Sequence, residues 1–354
     1  MAAKQIAVLP GDGIGPEVMK EAIKVLDLAS KKHNLKFNYK FADVGGMAYD
    51  KTGTALPQKT LEICENSDAI LFGSVGGPKW ENLPKDKSIE RNSILALRKH
   101  FEFYANVRPV ILYGEMVNSS PLKSVSKNGF DILIVRELSG DAYYGKSELG
   151  EDYACDEMKY TKEQCTRIAR VAFEIAAKRK DHVTCVDKSN VLSSSIFFRK
   201  HAIEISKNYP NVKLDFMYVD NASMQLIKRP DFFDVIVTTN LFGDILSDEA
   251  AMITGSIGMI PSASLNEKEF GMYEPAGGTA PDITGKGVSN PIAQILSAAL
   301  MLRHSFKEEK AAQSIANAVR KTIADGYRTR DIMESGMKEA STSEIGDLIA
   351  ERIN

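Results

Sequence analysis

Cysteine is scarce in this sequence: only four of its 354 residues are cysteines, Cys64, Cys155, Cys165 and Cys185. No two of them have the C-x-x-C spacing, so the sequence predicts neither a zinc site nor a disulfide framework. Unpaired cysteines are typical of the reducing cytoplasm. We therefore expect reduced thiols in a cytoplasmic protein.

An excess of one charge is also lacking, because the formal net charge is -2 at pH 7. Nucleic-acid and membrane-surface proteins usually carry a strong basic bias, so neither partner is expected.

The longest apolar run, Ile292 to Leu302, is interrupted by Gln294 and Ser297. It is too short to span a bilayer and predicts a buried helix. The first residues, Met1 to Gln5, lack the apolar core of a signal peptide.

A dinucleotide-binding fingerprint is missing from the glycine-rich turn at Gly11 to Gly15. The fingerprint is G-x-G-x-x-G, and Pro16 stands where its third glycine would be. The turn joins an apolar strand to a helix with proline in its first turn. It therefore indicates a strand-to-helix turn that lines a ligand, and not a Rossmann phosphate loop.

Apolar strand-like runs alternate with amphipathic helices, which predicts an α/β fold, and the length of the chain favours two domains. Arg136, Lys188, Asp220 and Asp244 each lie at or just beyond the carboxyl end of a predicted strand. Arg136, for example, is expected just past a strand over residues 132–135. Ligands of open α/β sheets bind at that edge. The four residues therefore predict a ligand site.

The stretch from Asn240 to Glu249 begins a helix, with Asn240 as its expected N-cap. Asp244 and Asp248 lie one turn apart on one face, where two carboxylates can share Mg²⁺ or Mn²⁺. Complementing the helix dipole is the alternative role for carboxylates near a helix start. With Asp220 as a third carboxylate, the set suits an octahedral site completed by substrate oxygens and water.

Three arginines, Arg98, Arg108 and Arg136, suggest a small substrate with more than one carboxylate, since arginine binds carboxylates bidentately. A surface ion pair is the alternative role for any one of them. Lys188 and Tyr143 are candidates for proton transfer. The alternative roles are a solvated cation for Lys188 and a core aromatic for Tyr143. Together with a divalent metal, these residues suit the oxidation of a 2-hydroxy diacid followed by loss of CO₂.

Eight segments carry a resemblance to a known family. They are GDGIGPE from Gly11, GSVGGPKWENLP from Gly73, ERNSILALRKHFEFYANVRP from Glu90, RELSGDAYYG from Arg136, VDKSNVL from Val186, MYVDNASMQLIK from Met217, NLFGDILSDEA from Asn240 and EPAGGTAPDITGKGVSNP from Glu274. They run across most of the chain in the family's order. On these segments the sequence resembles the β-decarboxylating dehydrogenases, the isocitrate/isopropylmalate dehydrogenase family.

The resemblance implies a two-domain α/β fold with a mixed central sheet that is not a Rossmann fold. One domain combines residues 1–103 with residues 256–354 on the cofactor side. The other, residues 104–255, carries the dimer interface and most of the metal and substrate residues. The implied enzyme is a homodimer in which Lys188 and Asp220 enter each site from the second subunit.

Site residues are implied position by position. The implied catalytic residues are Tyr143 and Lys188, the substrate-binding residues Arg98, Arg108, Arg136, Asp220, Ile94 and Leu95, and the metal ligands Asp220, Asp244 and Asp248. Tyr143 would protonate the enolate, and Lys188 would assist deprotonation of the hydroxyl. The implied cofactor-binding residues are Ile14, Gly77, Glu90, Glu274, Gly277, Gly278, Thr279, Ala280, Asp282, Ile283 and Asn290.

NAD is the cofactor that the resemblance implies. Asp282 would accept hydrogen bonds from the ribose hydroxyls, and a carboxylate there disfavours a 2′-phosphate. Ile283 follows it, without the Lys-Tyr pair of NADP-using relatives. Gly277 stands where many relatives have histidine, which affects only contacts near the adenine.

Substrate choice rests on Ile94 and Leu95, within a helix expected over residues 88–100. An apolar pair suits an isopropyl group, whereas isocitrate-using relatives have polar side chains there; a carboxylate against Ile94 and Leu95 would be unpaired. The expected reaction is oxidative decarboxylation of 3-isopropylmalate to 4-methyl-2-oxopentanoate, a step of leucine biosynthesis. The alternatives are a relative acting on tartrate, malate, homoisocitrate or isocitrate, and a regulatory subunit on the same fold. A regulatory subunit would be expected to have lost ligands or the Lys/Tyr pair, and none is missing here.

Overall fold

A computed structural model describes residues 3–353 and divides the chain into two compact units. Unit 1 takes the chain up to Phe101 and again from Gly255 onward, and unit 2 spans Glu102–Thr254. The domain boundaries expected from the sequence fall after residues 103 and 255. Within residues 3–353, no helix is both long and apolar enough to cross a bilayer.

The first part of unit 1 alternates strands and helices. Its elements are β1 (Lys4–Gly11), α1 (Gly15–His33), β2 (Phe37–Phe41), α2 (Gly46–Thr52), α3 (Gln58–Glu65), β3 (Ala69–Ser74), α4 (Ile89–Asn92) and α5 (Ile94–His100). Every residue of β3 is buried. A strand buried in this way is typical of a parallel sheet covered on both faces.

Unit 2 follows without a break. Its elements are β4 (Ala105–Tyr113), β5 (Gly129–Glu137), β6 (Ser147–Leu149), β7 (Ala154–Asp156), α6 (Lys162–Ala176), β8 (His182–Asp187), α7 (Ser193–Ser206), β9 (Lys213–Tyr218), α8 (Val219–Lys228), β10 (Val235–Thr238) and α9 (Asn240–Ile253). Its main sheet has the order β4-β5-β10-β8-β9. Only β4 runs antiparallel to its neighbour, so the carboxyl ends of the four parallel strands meet at one edge.

The chain then returns to unit 1. The remaining elements are β11 (Pro261–Leu265), β12 (Gly271–Pro275), α10 (Ile292–His304), α11 (Glu309–Ala324), β13 (Tyr327–Arg328), β14 (Lys338–Glu339) and α12 (Thr342–Glu351). The main sheet of unit 1 has the order β2-β1-β3-β12-β11, and β11 is antiparallel to β12. The predicted α/β fold with a mixed sheet is confirmed, and α10 is almost entirely buried.

Three local expectations are wrong. The helix expected over residues 88–100 is broken at Ser93, whose hydroxyl donates to the Ile89 carbonyl at 2.6 Å and competes with the helical backbone. Arg136 lies within β5, which extends to Glu137, and not beyond it. Asn240 is the first residue of α9 and Thr239 its N-cap, because the Asn240 side chain is bonded to Arg136 instead.

Asp12 holds the turn after β1 in place. Its side chain is almost fully buried and accepts hydrogen bonds from the backbone N–H groups of Gly46, Met47 and Gly76 at 2.7, 2.8 and 2.8 Å. Burial raises the pKa of the Asp12 carboxyl, and the three hydrogen bonds oppose that rise. One side chain thus ties the turn to the start of α2 and to the loop after β3.

We expect Asp12→Ala to lower the free energy of unfolding by about 3 kcal/mol, because three backbone N–H groups, two of them in buried hydrogen bonds, lose their acceptor. Urea denaturation measures the change. Asp43→Ala is the matched control, since Asp43 is exposed and pairs only with Lys51 at the surface, and it should cost no more than about 0.5 kcal/mol. Equal losses in the two variants would contradict the role of Asp12.

Candidate active site

The candidate site of unit 2 is built around Arg136, near the end of β5. Its guanidinium is buried, with 1% of the side chain exposed. Nε and one terminal nitrogen donate to Asn240 Oδ1 at 2.9 and 2.7 Å, and the other terminal nitrogen donates to Asp244 Oδ1. Asn240 and Asp244 both lie in the first turns of α9, so this arginine joins β5 to α9.

Gly243 allows α9 to pack closely against Arg136 of β5. A Cβ at this position would lie 2.7 Å from Arg136 Cγ and 2.8 Å from Arg136 Cβ. Contacts that short do not occur between ordinary side chains, so a larger residue would push α9 away from β5. The glycine in the segment Asn240 to Asp244 therefore serves close packing and not a turn.

Arg108, in the middle of β4, is the second buried arginine. It donates from Nε to Asn106 Oδ1 at 2.9 Å and from a terminal nitrogen to Ser247 Oγ at 2.6 Å. The same terminal nitrogen lies 3.3 Å from Asp248 Oδ1, and the other lies 3.7 Å from Asp244 Oδ1. Two buried guanidinium groups therefore face a carboxylate pair that is one helical turn apart.

Tyr143 contacts the same carboxylates from the segment after β5. Its hydroxyl donates to Asp244 Oδ2, and the Arg136 guanidinium lies 5.3 Å from the centre of its ring. Burial raises the pKa of the Tyr143 phenol, and the hydrogen bond to Asp244 raises it further. The phenol therefore keeps its proton through the neutral range.

A second layer of groups orients the start of α9. Asp141, a non-glycine residue at φ 72°, accepts from the Leu241 N–H at 3.1 Å and from the Tyr160 hydroxyl at 3.1 Å. Tyr160 in turn accepts from the Asn240 N–H at 2.8 Å. The backbone N–H groups of the first two residues of α9 are therefore satisfied by side chains from outside the helix.

Lys188 and Asp220 form a separate pair at the carboxyl ends of β8 and β9. Lys188 Nζ lies 2.5 Å from Asp220 Oδ1, and 59% of the Asp220 side chain is exposed. The hydrogen bond from Lys188 lowers the pKa of the Asp220 carboxyl. Within the described chain, no three His, Cys, Asp or Glu side chains come together as a metal site. In one copy of residues 3–353, Asp220 therefore does not join Asp244 and Asp248 in a three-carboxylate cluster.

Unit 1 contains a cavity of about 210 Å³. It is lined by Ile14, Val18, Ser74, Ser256, Ile257, Gly258, Pro275, Gly277, Gly278, Ala280, Ile283, Val288, Asn290, Ala293, Gln294 and Asp331. Two glycine-containing segments meet beside it, where the Ile14 N–H donates to the Thr279 carbonyl at 2.9 Å. Gly13, at φ 59°, has no room for a Cβ against that carbonyl. Six of the residues predicted to bind the cofactor line this cavity.

The other predicted cofactor residues do not line it. Thr279 is buried next to the cavity, Gly77 is half-buried, and Glu90 and Asp282 are exposed. Glu274 makes a buried ion pair with Arg98, with 2.8 Å between the guanidinium and Oε1. The predicted substrate residues Ile94 and Leu95 are half-buried, one turn before Arg98 on α5.

Sequence reasoning missed several polar residues of both sites. In unit 2 these are Asn106, Asp141, Tyr160 and Ser247, and Asn240 was assigned a different role. In unit 1 they include Ser256 and Asp331, whose side chains are hydrogen-bonded to each other, and Gln294. Gln294 carried a signal in the sequence, because it is one of the two polar residues that interrupt the apolar run from Ile292 to Leu302.

Comparison with known proteins places this fold among dehydrogenases. The structure of isocitrate dehydrogenase from Methylococcus capsulatus matches with a TM-score of 0.87 at 33% identity, over 99% of each chain. That of a β-decarboxylating dehydrogenase from Thermococcus kodakarensis, in its apo form, matches with a TM-score of 0.80 at 34% identity, over 99% of this chain and 96% of that one. The class is therefore an α/β dehydrogenase.

Sequence comparison identifies the family within that class. Residues 5–349 match the family model of isocitrate/isopropylmalate dehydrogenase, and the chain belongs to this oxidoreductase family, which confirms the resemblance. It is 55% identical to the 3-isopropylmalate dehydrogenase of Mannheimia succiniciproducens, over all of both chains. It is 54% identical to that of Campylobacter jejuni, over 99% of this chain and 98% of the relative.

We expect Asn240→Ala to lower the free energy of unfolding by about 3 kcal/mol. The variant removes the acceptor of two Arg136 hydrogen bonds and the donor to the Gly140 carbonyl, leaving buried polar groups unpaired. Urea denaturation is again the measurement. Asn221→Ala, which removes only a half-exposed contact with Gln225, should stay within about 0.5 kcal/mol of the parent; a similar value for Asn240→Ala would contradict its part in holding Arg136.

Proposed function

We propose that the protein catalyses the NAD-dependent oxidative decarboxylation of 3-isopropylmalate to 4-methyl-2-oxopentanoate and CO₂. The observation that carries this proposal is the pair of buried arginines, Arg108 and Arg136, against the carboxylates Asp244 and Asp248. A site that holds cations and carboxylates together suits a diacid that chelates a divalent metal. Relatives named for this activity match the chain over its whole length.

We assign substrate binding to a set of arginines and to an apolar surface on α5. Arg108 and Arg136 bind the substrate carboxylates, with Arg98 as the third arginine of the set. Ile94 and Leu95, half-buried on α5, form the apolar surface for the isopropyl group. A carboxylate in that position has no partner, and an unpaired buried charge is costly. This pair therefore favours 3-isopropylmalate over isocitrate.

The donor set fits Mg²⁺ or Mn²⁺. Asp244 and Asp248 offer hard oxygen donors one turn apart, with 33% and 53% of their side chains exposed. Burial raises the pKa of Asp248, Arg108 opposes that rise and the nearby Asp244 carboxylate adds to it. A bound divalent cation supplies stabilisation of negative charge on the substrate oxygens. Asp220 is the third carboxylate, and we assign it to the second subunit, where it also contacts the substrate.

Proton transfer is assigned to two residues. Lys188 assists removal of the proton from the substrate hydroxyl, and NAD, when bound, would supply the hydride acceptor. CO₂ then departs, and Tyr143 donates its phenolic proton to the carbon that carried it. The raised pKa of Tyr143 supports this role, because an acid must still hold its proton when the carbanion-like centre forms.

The cavity of unit 1 fits the adenosine end of NAD. Apolar side chains from Ile14, Ile257 and Ile283 offer surfaces for a flat base. Gly277 and Gly278 leave the approach open, since a Cβ at Gly278 would meet nothing within 4 Å. Asp282, exposed and adjacent to Ile283, is assigned to the ribose hydroxyls and disfavours NADP. Gly77, Glu90, Glu274, Thr279, Ala280 and Asn290 complete the proposed cofactor set.

A homodimer is supported by exposed apolar side chains on three helices of unit 2. They are Ile196 and Ile203 on α7, Met224 and Ile227 on α8, and Ile245 and Met252 on α9, exposed by 41–59%. Such a surface is typical of an interface. The small hairpin of β6 and β7 has exposed residues throughout, and exposed strand edges pair readily with another chain.

We assign the activity to leucine biosynthesis in the cytoplasm. Free thiols at Cys64, Cys155, Cys165 and Cys185 support a reducing compartment. A relative acting on tartrate, malate, homoisocitrate or isocitrate is the alternative enzyme, and a regulatory subunit is the alternative without catalysis. Turnover measured on a panel of these substrates separates the three possibilities.

We expect kcat/KM for 3-isopropylmalate, with NAD and Mn²⁺, to exceed that for isocitrate by roughly 100-fold or more. Tartrate, malate and homoisocitrate complete the panel. NAD should be preferred over NADP by at least about tenfold. Removing the divalent metal with EDTA should abolish turnover, and Mn²⁺ or Mg²⁺ should restore it. NADH absorbance at 340 nm follows the reaction.

Equal or greater kcat/KM on isocitrate would contradict the substrate assignment. A folded homodimer without turnover on any substrate would favour a regulatory subunit. Ile94→Ser is a matched variant, because it places a hydroxyl on the apolar surface without touching the arginines. It should raise KM for 3-isopropylmalate with little change in kcat.

A further inference from the structure

Gln294 is a buried amide that the rest of unit 1 does not satisfy. It lies in the first turn of α10, with 1% of its surface exposed. Within residues 3–353, neither Nε2 nor Oε1 has a hydrogen-bond partner. Leaving both halves of a buried amide unpaired costs stability, so native proteins rarely retain one without a function.

Ser297, on the same helix, provides the contrast. It is also buried, and its hydroxyl lies 2.8 Å from the carbonyls of both Glu274 and Ala293. The second polar residue in this apolar helix is therefore accommodated by the fold itself. Gln294 differs because it lines the cavity of unit 1.

The other polar side chains of that cavity already have partners. Ser74 donates to the Asp12 carbonyl at 2.9 Å. Asp331 Oδ2 accepts from Ser256 and, at 3.1 Å, from Asn290 Nδ2, and Asn290 Oδ1 accepts from the Ile292 N–H at 3.0 Å. Among the described side chains that line the cavity, Gln294 is the one whose donor and acceptor both lack a hydrogen-bond partner.

We propose that Gln294 recognises the adenine base of NAD by hydrogen bonds from its side-chain amide. The proposal rests on the proposed use of NAD and on placing its adenosine end in this cavity. Adenine carries an acceptor, N1, beside a donor, the N6 amino group, and an amide offers the complementary pair on adjacent atoms. Apolar walls with one such amide suit a flat base that has a polar edge.

The proposal predicts opposite effects of Gln294→Met on stability and on binding. Methionine has a similar size and removes the unpaired amide, so the melting temperature of the ligand-free protein should rise by about 2 °C. Affinity for NAD should fall by about tenfold, because the adenine edge loses its partner on binding. If the amide had only a structural role, its replacement would not raise the melting temperature while lowering the affinity for NAD.

Isothermal titration calorimetry with two ligands tests the contact itself. Nicotinamide 1,N⁶-ethenoadenine dinucleotide has the N1/N6 edge of the base blocked, so its affinity should be about the same for the wild type and Gln294→Met. Gln313→Met makes the same replacement on an exposed turn of α11 and should leave the affinity for NAD unchanged. Gln294→Leu is measured in parallel, so a folding defect in one variant does not prevent the test.

Unchanged NAD affinity in folded Gln294→Met and Gln294→Leu would overturn the proposal, as would an equal loss for both dinucleotides. Either result assigns the amide to a bound water or to packing. Failure of the wild type to bind NAD in the calorimetric titration would instead count against the proposed cofactor. The two failures are therefore distinguishable.

Discussion

Burial of the Arg136 guanidinium is the constraint on which the rest of unit 2 depends. A buried charge is tolerated only when its donors and its charge are satisfied. Asn240 and Asp244 meet that requirement from the first turns of α9, and Gly243 lets the helix come close enough. Because the arginine is satisfied by this helix, the position of Asp244 relative to β5 is set by the same contacts.

The neighbouring groups extend this arrangement. Arg108 links β4 to Ser247 and Asp248, and Asp141 with Tyr160 orients the backbone at the start of α9. The carboxylates that we assign to the metal are thus held by protein contacts before any ligand binds. Such preorganisation lets the site stabilise developing charge without rearranging.

The sequence predicted the parts of this arrangement that have a local signature. Strand ends carrying Lys188 and Asp220, and two carboxylates one turn apart on α9, follow from apolar runs and helical spacing. The family segments extended this to the assignment of the fold. Roles that depend on distant partners were not predictable: Asn240 has the composition of an N-cap, and its bond to Arg136 joins residues 104 positions apart. The break at Ser93 depends on one side-chain hydrogen bond. The unpaired amide of Gln294 lines a cavity whose walls come from segments of unit 1 that are far apart in sequence.

We propose that each site combines residues from two copies of the chain. One copy holds Tyr143 with Asp244, whereas Lys188 pairs with Asp220 at other strand ends. Co-expressing Lys188→Ala and Tyr143→Phe subunits with different tags, followed by tandem purification, isolates the mixed dimer. We predict that it recovers one intact site and about half of the wild-type turnover, whereas each parent homodimer is inactive. A purified mixed dimer no more active than its parents would contradict the shared site.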